Sequence, residues 1–235
     1  MVKNNHKNIC VILHLYYIDL WSYFLPYLKR IGEDIDLYVT LTEGHSEEFN
    51  IHNEILSVFP NANIYTLPNK GMDVAPFIYV MNEIVLSGRT YGVIIKLHSK
   101  KSLKHKDNIG DDWRDELINP LLGSVSKLQN NFYACTQTNQ TMVGSSKWVI
   151  SEQYYGFEQD YFSKEITVPE YEFVGGTMFM VNFNLIIDWF INDDIYNRFY
   201  DKFEDGYFEN YTLAHNFERL FGCLVTLKGG KILKV

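Results

Sequence analysis

The chain has 235 residues and a formal net charge of −8, with 46% hydrophobic and 16% aromatic residues. This composition supports a single globular domain with its own core and excludes a disordered chain. The acidic balance argues against a general nucleic-acid binder, which needs distributed positive charge to displace the counterions of phosphates.

Residues 1–8 are polar and carry no recognisable signal sequence. The first apolar run, "ICVILHLYY" (9–17), is far too short to span a bilayer. It reads instead as a strand covered on both faces. "DLWSYFLPYLKRIG" (19–32) has a helical pattern closed by glycine, and "DIDLYVTLT" (34–42) is a second strand. "SEEFNIHNEILSVF" (46–59) predicts a helix with a serine cap and acidic first turn, ending at Pro60. "ANIYTL" (62–67) is a third strand. The turn "PNKGMD" (68–73) leads into a helix over 74–87, with Asp73 placed to cap it. "YGVIIKL" (91–97) is a fourth strand. Strands alternating with helices in this way call for a mainly parallel sheet, so residues 1–110 read as a Rossmann-like nucleotide-binding half.

The second half, 111–235, is less regular and reads as the part that holds sugar and acceptor. Residues 111–130 are helical with a break near Pro120, while "NFYACTQT" (131–138) and "EFVGGTMFMVN" (172–182) read as strands. Residues 144–170 form a loop, 184–203 and 209–221 are helical, and 222–235 supplies a terminal strand or hairpin. The three cysteines, Cys10, Cys135 and Cys223, are scattered without metal-ligand spacing. They read as buried free thiols in a reducing, cytoplasmic compartment.

In open α/β sheets, ligands bind beyond the carboxyl ends of the strands. Three unusual stretches fall there: residues 14–19, with His14 and Tyr16; Asn69, Gly71 and Asp73 after the third strand; and residues 96–106 after the fourth. The last holds five lysines and two histidines on an otherwise acidic chain. The plainer reading is a solvated loop. Lys96 nevertheless lies inside an apolar strand, and Lys100, Lys101 and Ser102 follow directly past its end beside His98. Ammonium groups there suit a diphosphate and neutralise its charge without a metal. The only Asp-x-Asp triplet, Asp34-Ile35-Asp36, opens the second strand and so lies at the wrong end of the sheet for a metal-bound nucleotide. No divalent metal is therefore expected.

Further along, Trp113 and Arg114 in "DDWRDE" are either a packed ring and a helix-start charge or a second contact to diphosphate or sugar. Gly175 and Gly176 allow a close approach of backbone or ligand to a strand. In "ENYTLAHNFERLFG" (209–222), Thr212, His215, Glu218 and Arg219 share one helix face opposite an apolar stripe, with Glu209 near the helix start. An exposed helix face is the default there; sugar binding or proton transfer is the sharper reading.

Seven blocks in order resemble the rhamnan synthesis protein F family of bacterial polysaccharide glycosyltransferases. They are "LHLYYIDLW" (13–21), "DLYVTLT" (36–42), "NKGMDVAPF" (69–77), "IKLHSKKS" (95–102), "WRDELINPLLG" (113–123), "GGTMFMVN" (175–182) and "LAHNFERLFG" (213–222). The resemblance implies a GT-A-type α/β enzyme that transfers a sugar, typically rhamnose, from a dTDP- or UDP-activated donor to a lipid-linked or oligosaccharide acceptor, with inversion. It works in the cytoplasm, with possible peripheral contact at the inner membrane face. By motif, Asn69, Gly71, Asp73, Lys96, His98, Lys100, Lys101, Ser102, Trp113, Arg114, Gly176, Thr177 and Arg219 carry over as binding residues, together with His14 and Tyr16. His215, Glu218, Glu209 and Asp73 are the candidates to take the acceptor proton. Lys70 and Met72 stand where relatives often have arginine, and Met180 where tryptophan is frequent. Family members are often longer, so the chain is either a stand-alone enzyme or a fragment. Two other readings compete: a glycan-binding or scaffolding module that transfers nothing, and a nucleotide-sugar phosphohydrolase.

Overall fold

A computed structural model describes residues 9–32, 35–44, 48–101, 109–138, 141–209 and 212–235. A seven-stranded mixed sheet forms its centre, built from both halves of the chain. The strands are β1 (Ile9–Leu15), β2 (Asp36–Thr42), β3 (Asn63–Leu67), β4 (Val93–His98), β5 (Thr141–Gly144), β8 (Phe179–Asn182) and β9 (Lys231–Lys234), in spatial order β3-β2-β1-β4-β8-β5-β9. The first four pair in parallel. β8 runs antiparallel between β4 and β5, and β5 and β9 are again parallel. β6 (Val149–Gln153) and β7 (Glu170–Val174) form a separate antiparallel pair.

Period-2 alternation sorts the strand side chains into two cores. Ile9, Val11, Leu13 and Leu15 of β1 and Val93, Ile95 and Leu97 of β4 face one layer. That layer contains α1 (Trp21–Ile31), α2 (Glu48–Val58), α4 (Ile109–Leu122) and α5 (Val125–Gln137). Cys10, Ile12 and Ile94 face the other layer, built from α3 (Val74–Ser87), α6 (Phe183–Asn192), α7 (Ile195–Phe199) and α8 (Leu213–Leu227). Both faces are covered, which is why β1 and β4 read as continuous apolar runs. On the α3/α8 face the alternation continues into polar residues at the strand ends, where His14, Thr40, Lys96 and His98 replace the hydrophobes.

The first half follows the sequence expectation closely; the second departs from it. Residues 131–138 belong to a helix, α5, because Leu128, Asn131 and Cys135 recur at helical spacing and bury one face, with Ser124 accepting a hydrogen bond from the Lys127 N–H as cap. Residues 172–182 are two strands rather than one, since Gly175, Gly176 and Thr177 turn the chain from β7 into β8. The expected 144–170 loop contains β6. Helix α8 starts at Leu213 under a Thr212 cap, and runs to Leu227 before the terminal β9. The expected serine cap of α2 at Ser46 lies outside the described residues.

Candidate functional site

Parallel pairing brings the C-terminal ends of β1, β2 and β4 to one rim, and the antiparallel β8 begins there, Lys96 facing Phe179 in register. The 175–177 turn before β8 is thus delivered beside the end of β4. Lys96, only 1% exposed, donates to the Asp73 carboxylate and to both oxygens of Thr177, at 2.9 Å to Oγ1 and 3.2 Å to the carbonyl. The Thr177 hydroxyl also donates to Asp73. Thr177 sits at φ +50, a conformation that β-branched residues avoid, so three fixed hydrogen bonds hold a strained residue in place.

The cap expected of Asp73 is not made. Its backbone stands at the N-cap of α3, but its side chain turns away from the helix amides toward Lys96 and Thr177. A buried ammonium is a stronger partner for a carboxylate than a helix N–H. Burial alone would raise the Asp73 carboxyl. His98 and Lys96 beside it, with hydrogen bonds from Lys96 and Thr177, outweigh burial and hold it below the usual carboxylate range. Lys96 shifts down because burial outweighs the attraction of Asp73.

His98 Nε2 donates to the Gly176 carbonyl at 2.7 Å and lies 4.0 Å from Asp73. His14, its neighbour in register on β1, bonds Thr40 Oγ1 at 2.9 Å. Burial pushes His98 down to about 4 and His14 to about 3, so both rings are neutral at physiological pH.

The far side of the turn is held by α8. Glu218 accepts the Gly176 N–H at 2.5 Å, and burial raises its carboxyl despite that bond. His215 Nδ1 pairs with Thr212 Oγ1 at 2.7 Å; burial and then Arg219 lower its pKa. Arg219 itself is engaged by Glu152 at 2.8 Å. Gly176 has φ +82, and a Cβ there would lie 2.8 Å from Leu117 Cδ1 and 3.4 Å from Trp113 Nε1. The turn therefore packs directly on the Trp113 side of α4.

Trp113 stacks on Trp148 with centroids 4.6 Å apart, and the Lys100 ammonium rests 3.4 Å from the Trp113 ring centre. Burial lowers Lys100, with Asp73 and Glu218 acting in the opposite sense, so this amine belongs to the same electrostatic cluster. Arg114 stacks over Tyr23 and donates to the Lys100 carbonyl at 2.9 Å. Lys101 pairs with Asp19 and lies over Tyr17. Ser99 links the strands: its N–H donates to the His14 carbonyl, and its hydroxyl accepts the Tyr17 N–H.

On the other flank, Gly71 at φ +58 packs so tightly that a Cβ would fall 2.6 Å from the Phe203 ring and from Ala75. Its N–H donates to the Glu204 carbonyl, and the Asn69 carbonyl accepts the Gly206 N–H. Of the residues expected from sequence, Asp73, Lys96, His98, Gly176, Thr177 and Glu218 meet in one network. Lys100, His215 and His14 border it, while Trp113 and Arg114 support Lys100. Arg219 lies outward in its ion pair, Tyr16 packs edge-on against Tyr17, and Glu209 is exposed four residues before α8. Ser102 lies outside the described residues. Sequence reasoning missed Thr40, Ser99, Trp148 and Glu152. For Thr40, the period-2 register of β2 was a usable signal; for Trp148 there was none. Among the described residues, no three His, Cys, Asp or Glu side chains converge as a metal-binding set, and no helix is long and apolar enough to cross a membrane.

The family model for Rhamnan synthesis protein F matches residues 1–148, and the chain belongs to that family. Membership implies a role in polysaccharide synthesis. The matched stretch includes Asp73, Lys96 and Lys100, and ends before the glycine turn and α8. "Uncharacterized protein WxcX" from two strains of Xanthomonas campestris pv. campestris is 30% identical over 114 residues. That alignment covers 48% of this chain and 16% of each relative, so the chain spans only a small part of their length.

Proposed function

We propose that the chain is a GT-A-type glycosyltransferase that moves a hexose, such as rhamnose, from a dTDP- or UDP-sugar to a polysaccharide precursor. The observation that carries this reading is the Asp73–Lys96–Thr177 network, which fixes the 175–177 turn at the strand rim between Lys100 and Glu218. Donor sites in open α/β sheets lie at that rim. The sheet order, with one reversed strand beyond β4, also supports it.

In this reading the acceptor oxygen attacks the anomeric carbon as the bond to the diphosphate oxygen breaks. The acceptor proton passes to Glu218, whose burial-raised carboxyl suits a general base, and Lys100 meets the charge on the departing diphosphate. Lys96, tied to Asp73, positions the turn rather than the phosphate. Lys100 supplies charge that a divalent ion supplies elsewhere. The acceptor is lipid-linked or an oligosaccharide, reached from the cytoplasmic face of the membrane.

Thermal-shift and calorimetric titrations with dTDP- and UDP-sugars, with Mg²⁺ and with chelator, test the reading. One donor stabilises the protein equally in both conditions, and Lys100→Ala weakens it roughly tenfold or more. The pairing of Lys96 and Asp73 with each other favours a second reading, a glycan-binding module. Saccharide binding with no response to any nucleotide-sugar establishes that module and removes the transferase.

A further inference from the structure

Four tyrosines at the outer edge of the α3 face have no task in the donor reading. Tyr65 on the edge strand β3, Tyr79 on α3, Tyr196 on α7 and Tyr200 just after it form one continuous patch. Tyr79 is its centre, with ring centroids 5.3 Å from Tyr65, 6.2 Å from Tyr196 and 5.9 Å from Tyr200. Tyr196 and Tyr200, one helical turn apart, stack at 4.8 Å. All four rings pack on the core and stay partly exposed. None of their hydroxyls bonds to another described residue or is sealed from solvent, whereas Tyr23, Tyr27, Tyr38, Tyr91 and Tyr171 all use theirs in hydrogen bonds.

Strand register and hydrogen bonds tie the patch to the site. Tyr65 pairs with Thr40, Thr40 with His14 and His14 with His98, so one row across four parallel strands runs from the patch to the ring beside Asp73. Three strand spacings put the ends of that row about 14 Å apart. At the Tyr200 end, Lys70 donates to the Asp201 carbonyl at 3.2 Å and the Gly71 N–H to the Glu204 carbonyl at 2.9 Å. The chain leaving the patch is thereby fixed against the turn that carries Asp73.

We infer that this patch is a docking platform for a neutral polysaccharide chain, separate from the donor site. The inference goes beyond the transferase reading and rests on the family's role in polysaccharide synthesis. The negative face of a ring attracts the slightly positive C–H bonds of a pyranose, and phenolic hydroxyls both donate to and accept from sugar hydroxyls. The local charges disfavour an anionic occupant. Glu83 stands one turn beyond Tyr79 and Asp201 follows Tyr200, and neither carboxylate is hydrogen-bonded or ion-paired among the described residues. The cations of the same segment are turned elsewhere, Arg198 and Lys202 lying over Phe199.

Ligand-observed NMR with a rhamnose hexasaccharide tests the platform on wild type and two double variants, with dTDP- and UDP-rhamnose titrated in parallel. Tyr196→Leu/Tyr200→Leu removes two rings and keeps apolar packing; Tyr196→Phe/Tyr200→Phe removes only two hydroxyls. The leucine pair weakens hexasaccharide binding about tenfold and the phenylalanine pair about threefold, while nucleotide-sugar binding is unchanged. Where the leucine pair keeps the wild-type Tm, hexasaccharide binding equal to wild type overturns the platform. Where it loses Tm, the phenylalanine pair decides, and equal binding there overturns it. No hexasaccharide bound by wild type also overturns it and leaves the donor reading intact. Weakened hexasaccharide binding in the variants, with no nucleotide-sugar bound by wild type, upholds the platform and removes the transferase. Phosphatidylglycerol vesicles that bind wild type but not the leucine pair, with hexasaccharide binding unchanged, overturn it in favour of a lipid contact.

Discussion

Lys96, inside β4, is ion-paired with Asp73 at the head of α3, so the carboxylate in position to cap the helix faces the sheet instead. This pair joins two elements and, through Thr177, a third. Removing one partner of such a pair leaves the other charge buried and unmatched. Asp73→Ala is expected to destabilise the fold by about 3 kcal/mol or more, and Asp73→Ala/Lys96→Met by clearly less than the sum of the single changes. Urea denaturation of the three variants checks it. Additive losses would mean that the pair contributes nothing jointly.

The neutral histidines predict an acid-labile site. Both folded values, about 4 for His98 and about 3 for His14, lie below the ordinary value of 6.5, so below pH 6.5 the unfolded chain binds more protons than the folded one. Their contribution is complete above pH 6.5 and is lost as pH falls toward 4 and then 3. Asp73, depressed below the usual carboxylate range, adds a loss that begins as pH falls below its ordinary value of 3.8. Glu218 works in the opposite direction, because its raised carboxyl favours the folded state as it gains a proton. His98→Gln keeps a donor for the Gly176 carbonyl and removes one titration. Its stability is expected to fall less steeply than wild type between pH 6.5 and 4, by up to about 3 kcal/mol over the window. Denaturant titrations at pH 4.5, 5.5 and 7.5 measure the slope.

Gly176→Ala tests whether the turn geometry matters. A methyl group meets Leu117 at 2.8 Å, and the backbone is left-handed there. The two effects together cost roughly 2–4 kcal/mol. Relaxing the clash shifts the Gly176 carbonyl and N–H that hold His98 and Glu218. Because Trp113 borders the same methyl and stacks on Trp148, the emission spectrum is expected to change with stability. A variant with wild-type stability and emission would mean that the turn is free to move.

Much of this architecture is legible in the sequence because continuous apolar runs mark strands covered on both faces. A lysine within such a run, Lys96, stands out against it for the same reason. Its partners do not: Asp73 is 23 residues away at the head of α3, and Thr177, 81 residues away, is brought to it by the pairing of β4 with β8. Likewise the helix at 131–137 is hidden in the aromatic and β-prone stretch "NFYACTQT", since its periodicity appears only when Leu128 is included. Trp148 supports Lys100 through Trp113 from the turn that precedes β6, a position no local pattern announces.

The proton acceptor is the last discriminating choice, between Glu218 and His215. Glu218 touches the turn beside Lys100, and burial raises its affinity for a proton, which suits a group that must hold one through the reaction. His215 is shifted the other way by burial and by Arg219, and its Nδ1 is already occupied by the Thr212 hydroxyl that caps α8. Glu218→Gln keeps an oxygen for the Gly176 N–H, so the turn stays in place while the base is lost. It is expected to lower kcat by roughly 10²- to 10⁴-fold with little change in donor affinity, and to abolish the acidic limb of the pH–rate profile. His215→Asn is expected to lower kcat far less and to keep that limb. Steady-state transfer kinetics on both variants decide between them, and a His215→Asn profile without its acidic limb would move the base to the histidine.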